Sequence, residues 1–121
     1  SRDWANSFEM IQRVFPKHII VEIPDNDPLL HVLYDLDRNP QIPGARHLYR
    51  GPDGQTLANL PGGSPHWRGI YDDVGRLLVA INYNMDMGDA WEHADDPWYP
   101  NPMTTLAYRF AINYIIYAMT H

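Results

Sequence analysis

Residues 84–96 hold the densest group of side chains able to do chemistry: Asn84-Met85-Asp86-Met87-Gly88-Asp89-Ala90-Trp91-Glu92-His93-Ala94-Asp95-Asp96. The stretch has five acids and neither Lys nor Arg. Asp86, Asp89 and Glu92 are hard oxygen donors of the kind that hold Ca²⁺ or Mg²⁺. A carboxylate next to His93 is a general acid–base pair, since imidazole titrates near neutral pH. Trp91, together with Trp98, Tyr99 and the acids, offers flat faces and acceptors for a polar ligand such as a sugar. The candidate ligand-binding set is therefore Asn84, Asp86, Asp89, Trp91, Glu92 and His93. No resident metal, cofactor or catalytic residue is assigned.

The same residues also have a structural reading. Asp89-Ala90-Trp91-Glu92 matches a capping box, with an acceptor followed three residues later by Glu. Asp95 and Asp96 precede Pro97 and suit a turn, while Asn84 and Asp86 can close a strand by bonding to backbone. The stretch departs from a calcium-loop pattern, because Gly88 is displaced and no Glu closes the loop.

Several chemistries are excluded. The chain has no Cys, so it has no thiolate zinc site, disulfide or cysteine nucleophile. It has no Gly-x-Ser-x-Gly elbow for a hydrolase serine. The six His show no i, i+4 metal pairing. His31 reads as a hydrogen-bonded packing residue, and His66 and His93 as the better site members. Gly51-Pro52-Asp53-Gly54 and Gly62-Gly63-Ser64 read as turns, not phosphate cradles. The nine Lys and Arg are scattered against a net charge of −6, which argues against nucleic acid as a partner. No apolar run approaches the about 20 residues of a membrane span.

The elements that must position these groups follow from periodicity. Trp4, Phe8, Ile11 and Phe15 predict a helix over 2–15, stopped by Pro16. Residues 18–23 predict a buried strand ended by Pro24. Asp27-Pro28 starts a short helix or turn, with Asp as cap and Pro in the first position. Residues 35–66 are loop, with at most a short strand near 47–50. Trp67–Tyr71, a turn at Asp72-Asp73-Val74-Gly75 and Arg76–Tyr83 predict a hairpin. Its second strand is apolar on both faces over its first half, which predicts a central strand covered on both sides. Candidate ligand residues after its carboxyl end would suit an open parallel sheet. Residues 104–119 form a helix capped by Thr104 or Thr105, with Leu106, Phe110, Asn113, Tyr114 and Tyr117 on one side. Ile112, Ile115, Ile116 and Met119 extend its apolar surface nearly all round, predicting burial between layers or against a partner. The result is an α/β domain with too few strands to cover its own sheet.

The runs Arg68-Gly69-Ile70-Tyr71-Asp72-Asp73, Gly75-Arg76-Leu77-Leu78-Val79 and Asn84–Glu92 resemble a bacterial family known only as a domain of unknown function, number 4159. Leu106–Met119 is similar to that family's last helix, and Asp27-Pro28-Leu29-Leu30 and Pro40-Gln41-Ile42-Pro43 to two of its shorter segments. Asp27 stands where members often carry His before the Pro. The resemblance implies a flavodoxin-like, class-I glutamine-amidotransferase-like three-layer sandwich, with a β-hairpin and long Pro/Gly loops. It further implies that residues 1–121 form a single domain unit that is the C-terminal part of a longer domain beginning before Ser1. Periplasmic or cell-envelope localisation is implied as well. The amidotransferase Cys and Glu-His pair have no counterpart here.

These readings together describe a non-catalytic binding or assembly module of the cell envelope, with a protein partner or larger assembly. The alternative is a hydrolase-like enzyme, or a protein binding a divalent cation or sugar, through the Asp86–Glu92 segment.

Overall fold

The structure, a computed structural model, describes residues 2–60 and 62–121. It is mixed α/β, with three α-helices and two small antiparallel sheets among those residues. The chain divides into two compact units, Ser1–Ile23 with His66–Tyr83, and Pro24–Pro65 with Asn84–His121.

In the first unit, helix α1 (Arg2–Val14) ends just before Pro16, whose ring cannot continue a helix. The expected strand over 18–23 shrinks to β1 (Val21–Glu22). β1 pairs with β4 (His66–Tyr71), which pairs with β5 (Leu77–Tyr83), in the order β1-β4-β5. The hairpin forms where the sequence placed it. Asp72 builds its turn, its Oδ1 accepting the Val74 and Arg76 amides at 3.0 and 2.8 Å. Gly75 takes φ +85°, a left-handed conformation that disfavours a side chain.

The role expected for β5 is corrected. β4, not β5, is the central strand. Pairing runs from His66↔Tyr83 to Ile70↔Val79 and then shifts to Tyr71↔Leu77. Leu78 is therefore the extra residue of a β-bulge, and it is exposed while Leu77 is buried. The run Leu77-Leu78-Val79 comes from this shift and not from two covered faces. Gly69 answers a close approach, because a Cβ there would lie 2.8 Å from the Val79 carbonyl oxygen. Arg68 sits between Trp4 and Tyr83, 4.7 and 5.0 Å from their ring centres, and donates to Glu22 at 2.9 Å.

In the second unit, Asp27 caps a 3-10 turn at Pro28–Leu30 by accepting the Leu29 amide at 2.9 Å, as the Asp-Pro pair predicts. β2 (Leu48–Arg50) and β3 (Thr56–Ala58) form a hairpin around the Gly51–Gly54 turn; β3 was not foreseen. Helix α2 (Met87–Glu92) is short. Helix α3 (Asn101–Thr120) starts earlier than expected, with Pro100 at its N-cap and Pro102 in its first turn in place of a Thr cap. Thr104 is instead buried within it. α3 packs on α2 and on the 3-10 turn. Its buried stripe runs through Ala107, Phe110, Asn113 and Tyr117, while Ile115 and Met119 are exposed.

Asn113 is fully buried and joins α3 to the segment after the 3-10 turn. Its Oδ1 accepts the Tyr34 amide at 3.0 Å, and its Nδ2 donates to the Leu29 and Tyr34 carbonyls at 2.9 Å each. Asn113→Ala would leave three backbone groups without their partner, the Leu29 carbonyl in a buried place and the Tyr34 groups in a half-buried one. Urea unfolding followed by circular dichroism should show a loss of roughly 3 kcal/mol, since each buried unsatisfied group costs about 1–3 kcal/mol.

Candidate functional site

The six candidate ligand-binding residues, Asn84 to His93, all lie in the second unit, on the chain leading into and through α2. Asn84 adopts φ +61°, the left-handed region that Asn tolerates better than most side chains. Its Nδ2 faces the carbonyls of Gly62, Gly63 and Ser64 at 3.2, 3.2 and 3.4 Å. Asn84 thus closes a loop and turns the chain toward α2.

Asp86, not Asp89, is the N-cap of α2. Its Oδ1 accepts the Asp89 amide at 2.9 Å. The capping box expected at Asp89–Glu92 does not form, because the Asp89 carboxylate is taken up elsewhere. Its Oδ2 accepts the Ala45 amide at 2.7 Å, reaching back 44 residues to the loop. Three further bonds hold that loop. The Asp86 amide donates to the Ile42 carbonyl at 2.9 Å, Gln41 Nε2 to the Asn84 carbonyl at 2.7 Å, and the Tyr99 hydroxyl to the Pro43 carbonyl at 2.7 Å. Ile42, Pro43 and Gly44 are buried as a result. An irregular segment carries backbone groups that must find partners when buried, and the Asp86 amide with the Asp89 and Tyr99 side chains supplies them.

Asp89, Glu92 and His93 are brought together, each offering a ligand atom within 4.8 Å of the others. His93 donates from Nδ1 to Asp96 Oδ2 at 2.6 Å. Trp98 lies 4.9 Å from the His93 ring centre, and Tyr99 stacks at 6.3 Å. Trp91 is on the exposed side of α2. The aromatic groups therefore bracket His93 rather than forming an open clamp with Trp91. The strands of both sheets are antiparallel, so the parallel-sheet argument for a ligand beyond a strand end does not apply here. Asp95 and Asp96 do form the turn expected before Pro97, the Asp96 amide bonding to the His93 carbonyl at 3.1 Å.

Over residues 1–119 the chain matches the family model described as "Domain of unknown function (DUF4159)". It belongs to that family. No curated protein and no solved structure matches it.

In this DUF4159 chain, the Asn-x-Asp-x-Gly-Asp-Ala-Trp-Glu run is a clasp between α2 and the Gln41–His47 loop. Sequence reasoning missed that loop as part of the site. Its signal was Pro40-Gln41-Ile42-Pro43, a polar side chain between two prolines of fixed φ. Burial, joined by the charges of Asp86 and Asp89, pushes the Tyr99 phenol up to about 12, so it stays a donor. His66, the other histidine favoured as a site member, belongs to the first unit and pairs there with Glu22 at 2.9 Å. His31 is exposed, not packed on an apolar face. Its two ring nitrogens face the Asp25 carbonyl at 2.6 Å and Asp35 Oδ1 at 2.7 Å, so both bonds form only when the ring is protonated.

Both histidines hold their protons tightly. His31 is raised above 6.5, chiefly by the Asp25 carbonyl and then by the Asp35 carboxylate. His93 is raised above 6.5, chiefly by its bond to Asp96. A folded value above the unfolded one means that each pair stabilises the fold fully below 6.5 and loses this contribution as pH rises through the raised value. Imidazole NMR titration should place both midpoints above 6.5, and Asp96→Asn should lower that of His93 while leaving His31 unchanged.

Proposed function

We propose that this chain is a non-catalytic binding or assembly module of the bacterial cell envelope. One observation carries the reading: the carboxylates at the centre of its most distinctive motif are bonded to backbone amides, Asp86 to Asp89 and Asp89 to Ala45. A catalytic carboxylate acts on a reacting group, whereas one oxygen of each is spent on structure here, Asp86 on the α2 cap and Asp89 on the loop. The apolar outer face of α3, with Ile115 59% and Met119 80% exposed, supports the same reading, since such surface is a cost unless a protein covers it. The family resemblance supports the envelope location. It also supports the reading of the chain as the later part of one amidotransferase-like, flavodoxin-like domain, in which further chain would cover these faces.

A second reading keeps the site chemical. Asp89, Glu92 and His93 converge closely enough to hold a divalent cation or to act on a sugar-like substrate, as in a hydrolase. Against it, Asp89 Oδ2 and His93 Nδ1 already have partners.

Size-exclusion chromatography with light scattering on the full-length protein separates the two. The assembly reading expects a dimer, a larger oligomer or a stoichiometric co-purifying protein, unchanged by chelator. A monodisperse monomer at tens of micromolar whose melting temperature drops with chelator would overturn it in favour of the cation site.

A further inference from the structure

The outer face of the clasped loop borders a cleft of about 150 Å³, open to water. That is well above the roughly 10–15 Å³ of such space that one water needs, so the cleft can take a small molecule. Arg46, His47, Asn84 and Asp86 supply its polar lining, with Pro43 and Leu60 as apolar wall. We propose that this cleft binds a small zwitterion, its carboxylate held by Arg46 and its ammonium by Asp86. The inference concerns a small ligand and stands apart from the protein partner proposed above.

Charge is the first argument. Arg46 and Asp86 line one cleft, yet no ion pair joins them among the described residues. The one bond recorded for the Arg46 side chain runs from Nε–H to His47 Nε2 at 3.3 Å. That bond leaves the two terminal amino groups, which form the fork that grips a carboxylate. On the other wall, Asp86 commits Oδ1 to the helix cap and leaves Oδ2. An anion alone would meet Asp86 as a repulsive neighbour, and a cation alone would meet Arg46. A ligand with both charges answers both walls.

Space is the second argument. Gly44 lines the cleft with φ −72° and ψ 148°, a conformation open to every residue, so glycine is not there for its backbone freedom. A Cβ at this position would stand 3.3 Å from Asp86 Oδ2 and 3.5 Å from Asp89 Oδ2. A side chain at Gly44 would thus crowd Asp86 Oδ2, and glycine keeps that oxygen clear. Asp89 Oδ2 is spent on the Ala45 amide, so the ammonium, with three N–H donors, meets the uncommitted Asp86 Oδ2.

The third argument is rigidity. Bonds from Gln41, Asp86, Asp89 and Tyr99 fix the Gln41–Ala45 wall of the cleft before anything binds. A preformed site loses little conformational entropy on binding, so a small ligand with few contacts can be held.

The test is isothermal titration calorimetry on the full-length protein with unbranched amino acids of increasing length, from glycine to 6-aminohexanoate. Acetate and methylammonium serve as single-charge controls. One chain length should bind at least about tenfold more tightly than either control, as expected for two charge-assisted contacts. Arg46→Gln, at an exposed position, should remove that preference, as should Asp86→Asn, which retains a capping oxygen. Circular dichroism should stay unchanged in both variants. If no amino acid outcompetes the controls, or if the preference survives Arg46→Gln, the proposal is overturned.

Discussion

The second unit depends on one constraint: a loop without regular hydrogen bonding is buried, and its backbone must be satisfied from outside. Ile42, Pro43 and Gly44 are all buried. Ile42 and Pro43 present carbonyls that receive the Asp86 amide and the Tyr99 hydroxyl, and Ala45 presents an amide that Asp89 accepts. Without these partners the loop would pay a desolvation cost at each group and would leave the α2 surface. The acidic, aromatic composition of the 84–99 stretch is what such a loop requires. A carboxylate meets an amide, a phenol meets a carbonyl, and Asn84 turns the chain between them.

The electrostatics follow from this arrangement. Asp86 and Asp89 lie close together with no Lys or Arg in their own stretch. Their charge is stabilised by amide dipoles at the start of α2 and at Ala45, interactions that favour an anion without a counter-ion. Burial first, and then the same negative charge, keeps the Tyr99 phenol protonated and thereby keeps its bond to Pro43. Each group that looks reactive in the sequence thus supports another. The cleft outside the loop has Arg46 and Asp86 on its walls.

Local signals were legible wherever a short-range rule decides the structure. The Asp72–Gly75 turn, the Asp27-Pro28 cap and the stop at Pro16 follow from neighbouring residues, and each forms as expected. The α/β class followed from them. Long-range decisions were not legible. Leu78 looks like a core residue until a bulge shifts the register past it. The run over 18–23 has strand-forming residues throughout, but β4 pairs with only Val21 and Glu22. Asp89 fits a local capping box perfectly well by sequence. Its carboxylate instead meets an amide 44 residues away, and Asp86 takes the cap. A local pattern cannot register a competitor that distant.

The central claim is that Asp89 is a structural acceptor for the loop, and amide hydrogen exchange at Ala45 tests it most directly. NMR exchange on the intact protein should find the Ala45 amide protected. In Asp89→Ala its protection should collapse toward that of a surface loop, while the β4 amides of the first unit keep theirs, since local opening affects only the groups released. Unchanged protection of Ala45 in Asp89→Ala would contradict the account and return the Asp89 carboxylate to the candidates for chemistry.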